Sequence, residues 1–270
     1  MSEPNDPHDP LSRFDLGVAH SARRYNYWLG GKDNFAADRE SGDAIAATFP
    51  TIRDSVRENR RFLRRTVEFL AGAGIDQFLD IGTGLPTADN THEVAQRITP
   101  QARIVYVDND PIVLAHARAL LTSSPEGATA YIDADLREPE TILNAPELGD
   151  TLDLRRPVGL VLLAVLHFVR DAQDPYGIVT RLVKALPAGS YLVMSHATYD
   201  LVDPAKVERL EALSGGQWRS RSREEVARFF TGLELVDPGV VPIGNWRPSP
   251  GTSPPDPAEI VTYGAVARIP

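Results

Sequence analysis

Asp80, Gly82 and Gly84 in the run FLDIGTGLPT, Asp108 in VYVDND and Asp135 in DADLRE are the residues whose types and spacing could do chemistry. A short apolar run, Phe78-Leu79-Asp80-Ile81, leads into a Gly-x-Gly turn. Small residues there let a ligand approach the main chain and meet free backbone N–H groups. Pro86, Thr87 and Ala88 read as the first turn of the next helix, because proline at a helix start gives up no needed N–H. Asp108 stands 24 residues beyond Gly84, and Asp135 follows a third apolar run. A nucleoside asks for this set: main-chain room at the first turn, a carboxylate for the ribose hydroxyls and a polar group for the base edge. Each part has a plainer reading. Gly-x-Gly alone is a tight turn, Asp108 could cap the helix that starts at Pro111, and Asp135 could be a turn residue. The agreement of three segments is what favours the ligand.

Two cofactor classes share this geometry. A dinucleotide site reads G-x-G-x-x-G, with pyrophosphate over the helix N-terminus; here Thr87 holds the third glycine position, and Pro86 precedes it. S-adenosylmethionine has no phosphate and carries an amino-acid tail and a sulfonium. An acid just before the glycines, Asp80, suits an ammonium better than a pyrophosphate, so the balance tips toward methyl transfer over NAD chemistry.

Positioning these residues needs an α/β frame, which the rest of the chain supplies. Strands are expected at Phe78–Ile81, Ala102–Val107, Ala130–Asp133, within Pro157–Val169 (an apolar run typical of a strand buried on both faces) and at Ser190–Ser195. Helices are expected over about 88–98, 111–121 and 175–186, with His92, Glu93 and Gln96 toward solvent. This alternation predicts a parallel, doubly wound sheet with its crevice at the carboxyl ends of the strands. Pro204–Leu213 and a capping-box segment starting at Ser222 read as helices, and Leu233–Val241 and Ile260–Ile269 as two closing strands. Upstream, Thr51 caps a long helix stopped by Gly72 and Gly74; its many arginines read as a solvated face pairing with Glu58 and Glu68, with anion binding as the alternative. Residues 20–40 mix aromatics, glycines and charges, and read as an arm packed on the main domain or as a lid bending at Gly30-Gly31. The domain plan is a flexible tail over 1–19, a helical arm or cap over 20–74 and a cofactor-binding domain over 75–270.

Composition narrows the function. In 270 residues, 28 basic against 37 acidic side chains give a formal charge of −9, which disfavours a broad grip on nucleic acid. The chain has no cysteine, which removes disulfide and thiolate chemistry and agrees with a cytoplasmic protein. No stretch approaches the roughly 20 apolar residues of a membrane span, and the polar, proline-rich start is not a signal peptide. The six histidines, His8, His20, His92, His116, His167 and His196, show no metal-ligand spacing.

The runs FLDIGTGLPT, VYVDND and DADLRE together resemble those of class I S-adenosylmethionine-dependent methyltransferases. More narrowly, SARRYNYWLGGKDNF is similar to the N-terminal motif of an actinobacterial S-adenosyl methyltransferase family of unknown substrate. The resemblance implies a Rossmann-like, seven-stranded, mostly parallel sheet with an antiparallel last strand. It also implies Gly82 and Gly84 at the cofactor, Asp108 on the ribose and Asp135 near the adenine, with Asp80, Asn109 and Leu136 completing the cofactor set. No N/D-P-P-Y/F segment follows the fourth strand, which disfavours methylation of exocyclic base amines.

For the acceptor, His167 in AVLHFVRD is the first candidate base, since oxygen-methylating relatives place a histidine after this strand; a histidine bonded to nearby backbone is the plainer reading. His196 in MSHAT is the second. Tyr25, Tyr27 and Trp28 could shape the pocket or face the sulfonium through their rings, and ordinary packing explains them equally. The function expected is methyl transfer to the oxygen or nitrogen of a small molecule. A catalytically silent S-adenosylmethionine- or S-adenosylhomocysteine-binding regulator is the alternative, and an NAD-dependent oxidoreductase the more remote one.

Overall fold

The structure, a computed structural model, describes residues 17–120 and 122–270, so most of the expected tail lies outside the described residues. Two helices, α1 (Ser21–Trp28) and α2 (Ala36–Thr48), precede the long α3 (Ile52–Gly72). The aromatic arm is therefore a helix and a turn, built around the buried Asn26. Its Oδ1 accepts from the Asp33 N–H at 3.1 Å and from Asn34 Nδ2 at 3.0 Å. A Cβ on Gly31 would stand 2.3 Å from the Asn26 amide, so glycine is required there. Beside it, Gly30 makes the bend in the left-handed region.

The alternating part runs β1 (Gln77–Ile81), α4 (Thr91–Ile98), β2 (Arg103–Asp108), α5 (Pro111–Leu120), β3 (Ala128–Asp133), α6 (Pro139–Leu143), α7 (Pro146–Thr151), β4 (Gly159–Leu163), α8 (Pro175–Lys184) and β5 (Tyr191–Ala197). It closes with α9 (Pro204–Ser214), α10 (Arg223–Ala227), β6 (Glu234–Leu235), β7 (Val241–Pro242), α11 (Pro257–Ile260) and β8 (Thr262–Arg268). The sheet order is β3-β2-β1-β4-β5-β8-β6, with β7 also on β8. The first five strands are parallel, and β8 runs antiparallel to β5. This is the doubly wound sheet predicted, with its outermost strand broken into two pieces on the edge of β8.

Alternation along the strands divides the core. Leu79, Ile81, Val105 and Leu160 face α8 and its neighbours, while Phe78, Ile104 and Val161 pack under Phe62, Val67 and Leu70 of α3. Asp80 shares the second face, which turns its carboxylate toward α3 and α4.

Four local expectations are corrected. The helix after β1 begins at Thr91 rather than at Pro86. Asp89 is left-handed, and Asn90 starts the helix with its N–H on Glu93 Oε2 at 2.7 Å, so Gly82–Asn90 is an open loop. His92 is buried rather than solvated, with Nδ1 2.8 Å from the Tyr106 hydroxyl. Strand β4 stops at Leu163, because Ala164 is left-handed and Leu166–Phe168 forms a 3₁₀ turn that swings His167 off the strand. The expected strand 233–241 is interrupted by Pro238, which has no N–H for a ladder, and by Gly239 at positive φ. Among the described residues, no helix is long and apolar enough to cross a membrane.

Candidate functional site

The carboxyl ends of β1 to β5 open into a cavity of about 480 Å³, roofed by α1, the end of α2 and the first half of α3. Gly82 donates its N–H to Val107 O at 2.8 Å, and a Cβ on it would stand 2.5 Å from Val165 Cγ2. Gly84 differs: nothing lies within 4 Å of its missing Cβ, so the bare bend faces open space. Its N–H donates to Asp108 Oδ2 at 2.9 Å, and the Asp110 N–H donates to Asp108 Oδ1 at 2.9 Å. Asp110 in turn meets His20 Nδ1 at 2.9 Å, which ties the start of the arm to the end of β2. Asp135 accepts from Asn109 Nδ2 at 3.0 Å and from Arg137 Nε at 2.8 Å.

The carboxylates differ in their ease of ionisation. Burial pushes Asp80 up to about 6; the Thr91 hydroxyl, donating at 2.6 Å, and the Arg60 charge work against that rise, while Asp108 adds to it. Burial also raises Asp108, against its two backbone donors. Asp135 is brought down to about 2, first by its bond from Arg137. A nucleoside with a cationic tail fits this set: a bare bend, a fixed carboxylate at the β2 end, a polar edge at the β3 end and a buried acid seeking a cation.

Beyond Ala164 the cavity turns apolar and aromatic, walled by Trp28, Phe49, Ile52, Tyr199 and Trp218. Tyr25 enters this part with its hydroxyl fixed: it donates to Val56 O at 3.1 Å and accepts from Asn59 Nδ2 at 3.0 Å. His167 lines the same wall, its ring edge-on to Trp218 with centroids 5.7 Å apart. Its Nδ1 is buried without a hydrogen-bond partner, so the backbone-bonded reading of this histidine does not describe it. Burial, then the Arg221 and Arg24 charges, lower its pKa to about 3, leaving the imidazole neutral.

Asp80, Gly82, Gly84, Asp108, Asn109, Asp135, Leu136, Tyr25, Trp28 and His167 all line this one cavity. Two predicted residues do not. Tyr27 points its hydroxyl at Asp43 Oδ1, 2.8 Å away, with Arg53 over its ring. His196 is wholly buried behind the wall, with Nδ1 set 2.7 Å from Ala197 O and Nε2 facing Arg221 Nη1 at 2.9 Å, so neither nitrogen is free to take a proton. Sequence reasoning missed Arg60 and Arg221. Arg60 lies beside Asp80, holds Asp89 O at 2.9 Å and leaves its Nε buried and unpartnered. It follows the buried Asn59 and stands four residues after the buried Val56, a periodic position on the border of the packed face that could have set it apart from the other arginines. No comparable pattern marks Arg221. Among the described residues, no group of three or more His, Asp and Glu could hold a metal ion.

A family model described as S-adenosyl methyltransferase matches residues 7–270. A DUF574 family protein from Streptomyces avermitilis MA-4680 is 49% identical, with a TM-score of 0.90 over 96% of this chain and 100% of its own. A candidate methyltransferase from Thermobifida fusca YX is 41% identical, with a TM-score of 0.87 over 97% of this chain and 99% of its own. The plantazolicin methyltransferase BpumL, in complex with a triazolic desmethylPZN analog and SAH, is 13% identical with a TM-score of 0.54 over 94% of this chain and 97% of its own, a likeness of fold alone. No curated protein matches the chain.

Proposed function

The chain belongs to the S-adenosyl methyltransferase family, whose members depend on S-adenosylmethionine, and from that premise we propose that it methylates an oxygen or nitrogen of a small molecule held in the aromatic half of its cavity. The observation that carries this reading is the joining, in one cavity, of a carboxylate-rimmed glycine bend and an aromatic chamber with a neutral imidazole on its wall. Bound S-adenosylmethionine supplies a methyl carbon made electrophilic by its sulfonium.

In this reading Gly82 and Gly84 keep the main chain bare beside the cofactor. Asp108, held by two backbone N–H groups, retains lone pairs for the ribose hydroxyls. Asp135, Asn109 and Leu136 border the adenine. Asp80 and Arg60 divide the amino-acid tail between them, the carboxylate taking its ammonium and the guanidinium its carboxylate. The arm excludes water through Tyr25 and Trp28, and positioning of the acceptor is the largest contribution the chain makes. His167 accepts the acceptor's proton as the new bond forms. The imidazole is neutral in the unliganded chain and so has a lone pair for a proton that turns acidic as the bond forms.

Calorimetric titration with S-adenosylmethionine, S-adenosylhomocysteine and NAD, followed by a methyl-consumption screen against small phenols, acids and amines, tests the reading. Binding of both adenosyl compounds and turnover on one acceptor class are expected. Binding of NAD with neither adenosyl compound would overturn it.

A further inference from the structure

The charges of the cavity are divided by end. Its carboxylates, Asp80, Asp108 and Asp135, all stand at the ends of β1 to β3. The aromatic end, walled by Trp28, Phe49, Phe168, Tyr199 and Trp218, has, among the described residues, no carboxylate and one guanidinium, Arg24 of α1.

Arg24 stands apart from the other arginines of the cavity by its place. Arg137 is ion-paired with Asp135, and Arg60, at the carboxylate end, bonds the carbonyls of Ala88 and Asp89 within the field of Asp80. Arg24 touches neutral groups: Nη1 donates to Ser41 Oγ at 3.1 Å, and Nη2 reaches Gln217 Oε1 at a long 3.5 Å. Asp38, whose field favours its charge, has its oxygens committed to Arg23 at 3.3 Å and to the N–H groups of His20 and Phe35 at 2.8 and 2.9 Å. Arg24 is thus a half-buried cation whose hydrogen bonds go to neutral groups, on the wall of a chamber lined by aromatic rings. A planar fork of N–H donors in that state is matched by a carboxylate.

We propose that the methyl acceptor is a small aromatic carboxylate, its anionic group docked on Arg24 and its ring held among the aromatic walls. This rests on the methyltransferase reading of the same cavity. It also gives the docking group a second effect. The Arg24 charge is one of the influences holding the proton affinity of His167 down. An anion on Arg24 offsets that influence, so the correct acceptor makes the imidazole beside it a better base, and a neutral ring of the same shape does not.

The test uses the full chain saturated with S-adenosylhomocysteine and four probes: benzoate and salicylate, and their neutral counterparts benzamide and salicylamide. Affinities are read by calorimetry and by ligand-observed NMR. The carboxylates are expected to bind about tenfold or more tighter than the amides. Arg24→Gln abolishes that preference, Arg24→Lys keeps part of it, and both leave the affinity for S-adenosylhomocysteine unchanged. Equal binding of acids and amides, no detectable binding of either acid, or a preference that survives in Arg24→Gln would overturn the proposal and leave the cofactor reading standing. Loss of S-adenosylhomocysteine binding in Arg24→Gln would put Arg24 on the cofactor side and overturn it too. If the unaltered protein failed to bind S-adenosylhomocysteine, the functional reading itself would go, and this proposal with it.

Discussion

Arg221 donates from Nη1 to His196 Nε2 at 2.9 Å, and this pairing fixes the state of a histidine that sequence alone offers as a base. With Nδ1 against Ala197 O at 2.7 Å, His196 carries its proton on Nδ1 and uses its lone pair on Arg221. The same guanidinium holds Leu166 O at 3.1 Å, Val169 O at 2.9 Å and Asp171 Oδ1 at 2.8 Å. It therefore clamps the turn that carries His167 to the cavity. Arg221→Met leaves Val169 O and His196 Nε2 unpaired, while Leu166 O keeps the Val169 N–H at 3.1 Å, and a loss of about 3 kcal/mol is expected from urea unfolding, given about 1–3 kcal/mol for each unsatisfied buried group. A loss under about 1 kcal/mol would mean that water replaces the clamp.

The two glycines of the first bend are expected to respond differently to alanine. Both have positive φ, so each substitution bears a strain of about 1–2 kcal/mol. At Gly82 the new methyl also meets Val165, which is branched and cannot swing away, whereas at Gly84 it meets nothing within 4 Å. Gly82→Ala is therefore the more destabilising by an additional ~1–3 kcal/mol of overpacking. Equal thermal shifts for the two variants would remove the argument for close approach at Gly82.

Asp108→Ala is expected to weaken S-adenosylhomocysteine binding by more than about 1 kcal/mol, the scale of a lost charge-assisted hydrogen bond. The variant also frees the N–H groups of Gly84 and Asp110, so part of the loss comes from a looser bend. Asp108→Asn keeps an amide oxygen for the Gly84 N–H and loses the bond from Asp110, so it narrows the contribution of the looser bend. Unchanged calorimetric affinity in both variants would mean that the ribose is held elsewhere.

Much of this was legible in the sequence because its signals are short-range. A strand that ends in Asp80-Ile81-Gly82-Thr83-Gly84, two further strand ends with Asp108 and Asp135, and an apolar run at 158–163 each announce themselves within a few residues. What escaped depends on contacts across long separations. His92 looks solvent-facing until Tyr106, on β2, covers it. Ala164 shows no sign of a left-handed turn, and its N–H is held from β5 by Ser195 Oγ at 3.0 Å. His196 is taken out of reach by a partner 25 residues away in sequence, Arg221. The arm's Tyr25 and Tyr27 are two positions apart on a helix and so face different sides, one to the cavity and the other to Asp43.

Asp80 sets stability against binding. Burial raises its folded-state pKa from 3.8 to about 6, so between those values the folded chain keeps a proton that the unfolded chain releases. The stability attached to that proton is fully present below 3.8 and is lost as pH rises through about 6. At neutral pH the ionised carboxylate then weakens the unliganded fold by up to about 3 kcal/mol, the free energy of a shift of about two pH units. Asp80→Asn removes that penalty and keeps an oxygen for the Thr91 hydroxyl, so its melting temperature at neutral pH is expected to exceed that of the unaltered protein, with the gap closing as pH falls toward 4. Binding runs the other way. An ammonium favours the ionised carboxylate, so affinity for S-adenosylhomocysteine is expected to drop as pH falls below about 6 in the unaltered protein, and to be weaker and nearly flat over that range in Asp80→Asn. Calorimetry across the pH range reads both curves. A flat profile in the unaltered protein, or no gain in melting temperature for the variant, would show that Asp80 is not the group awaiting the cofactor's cation.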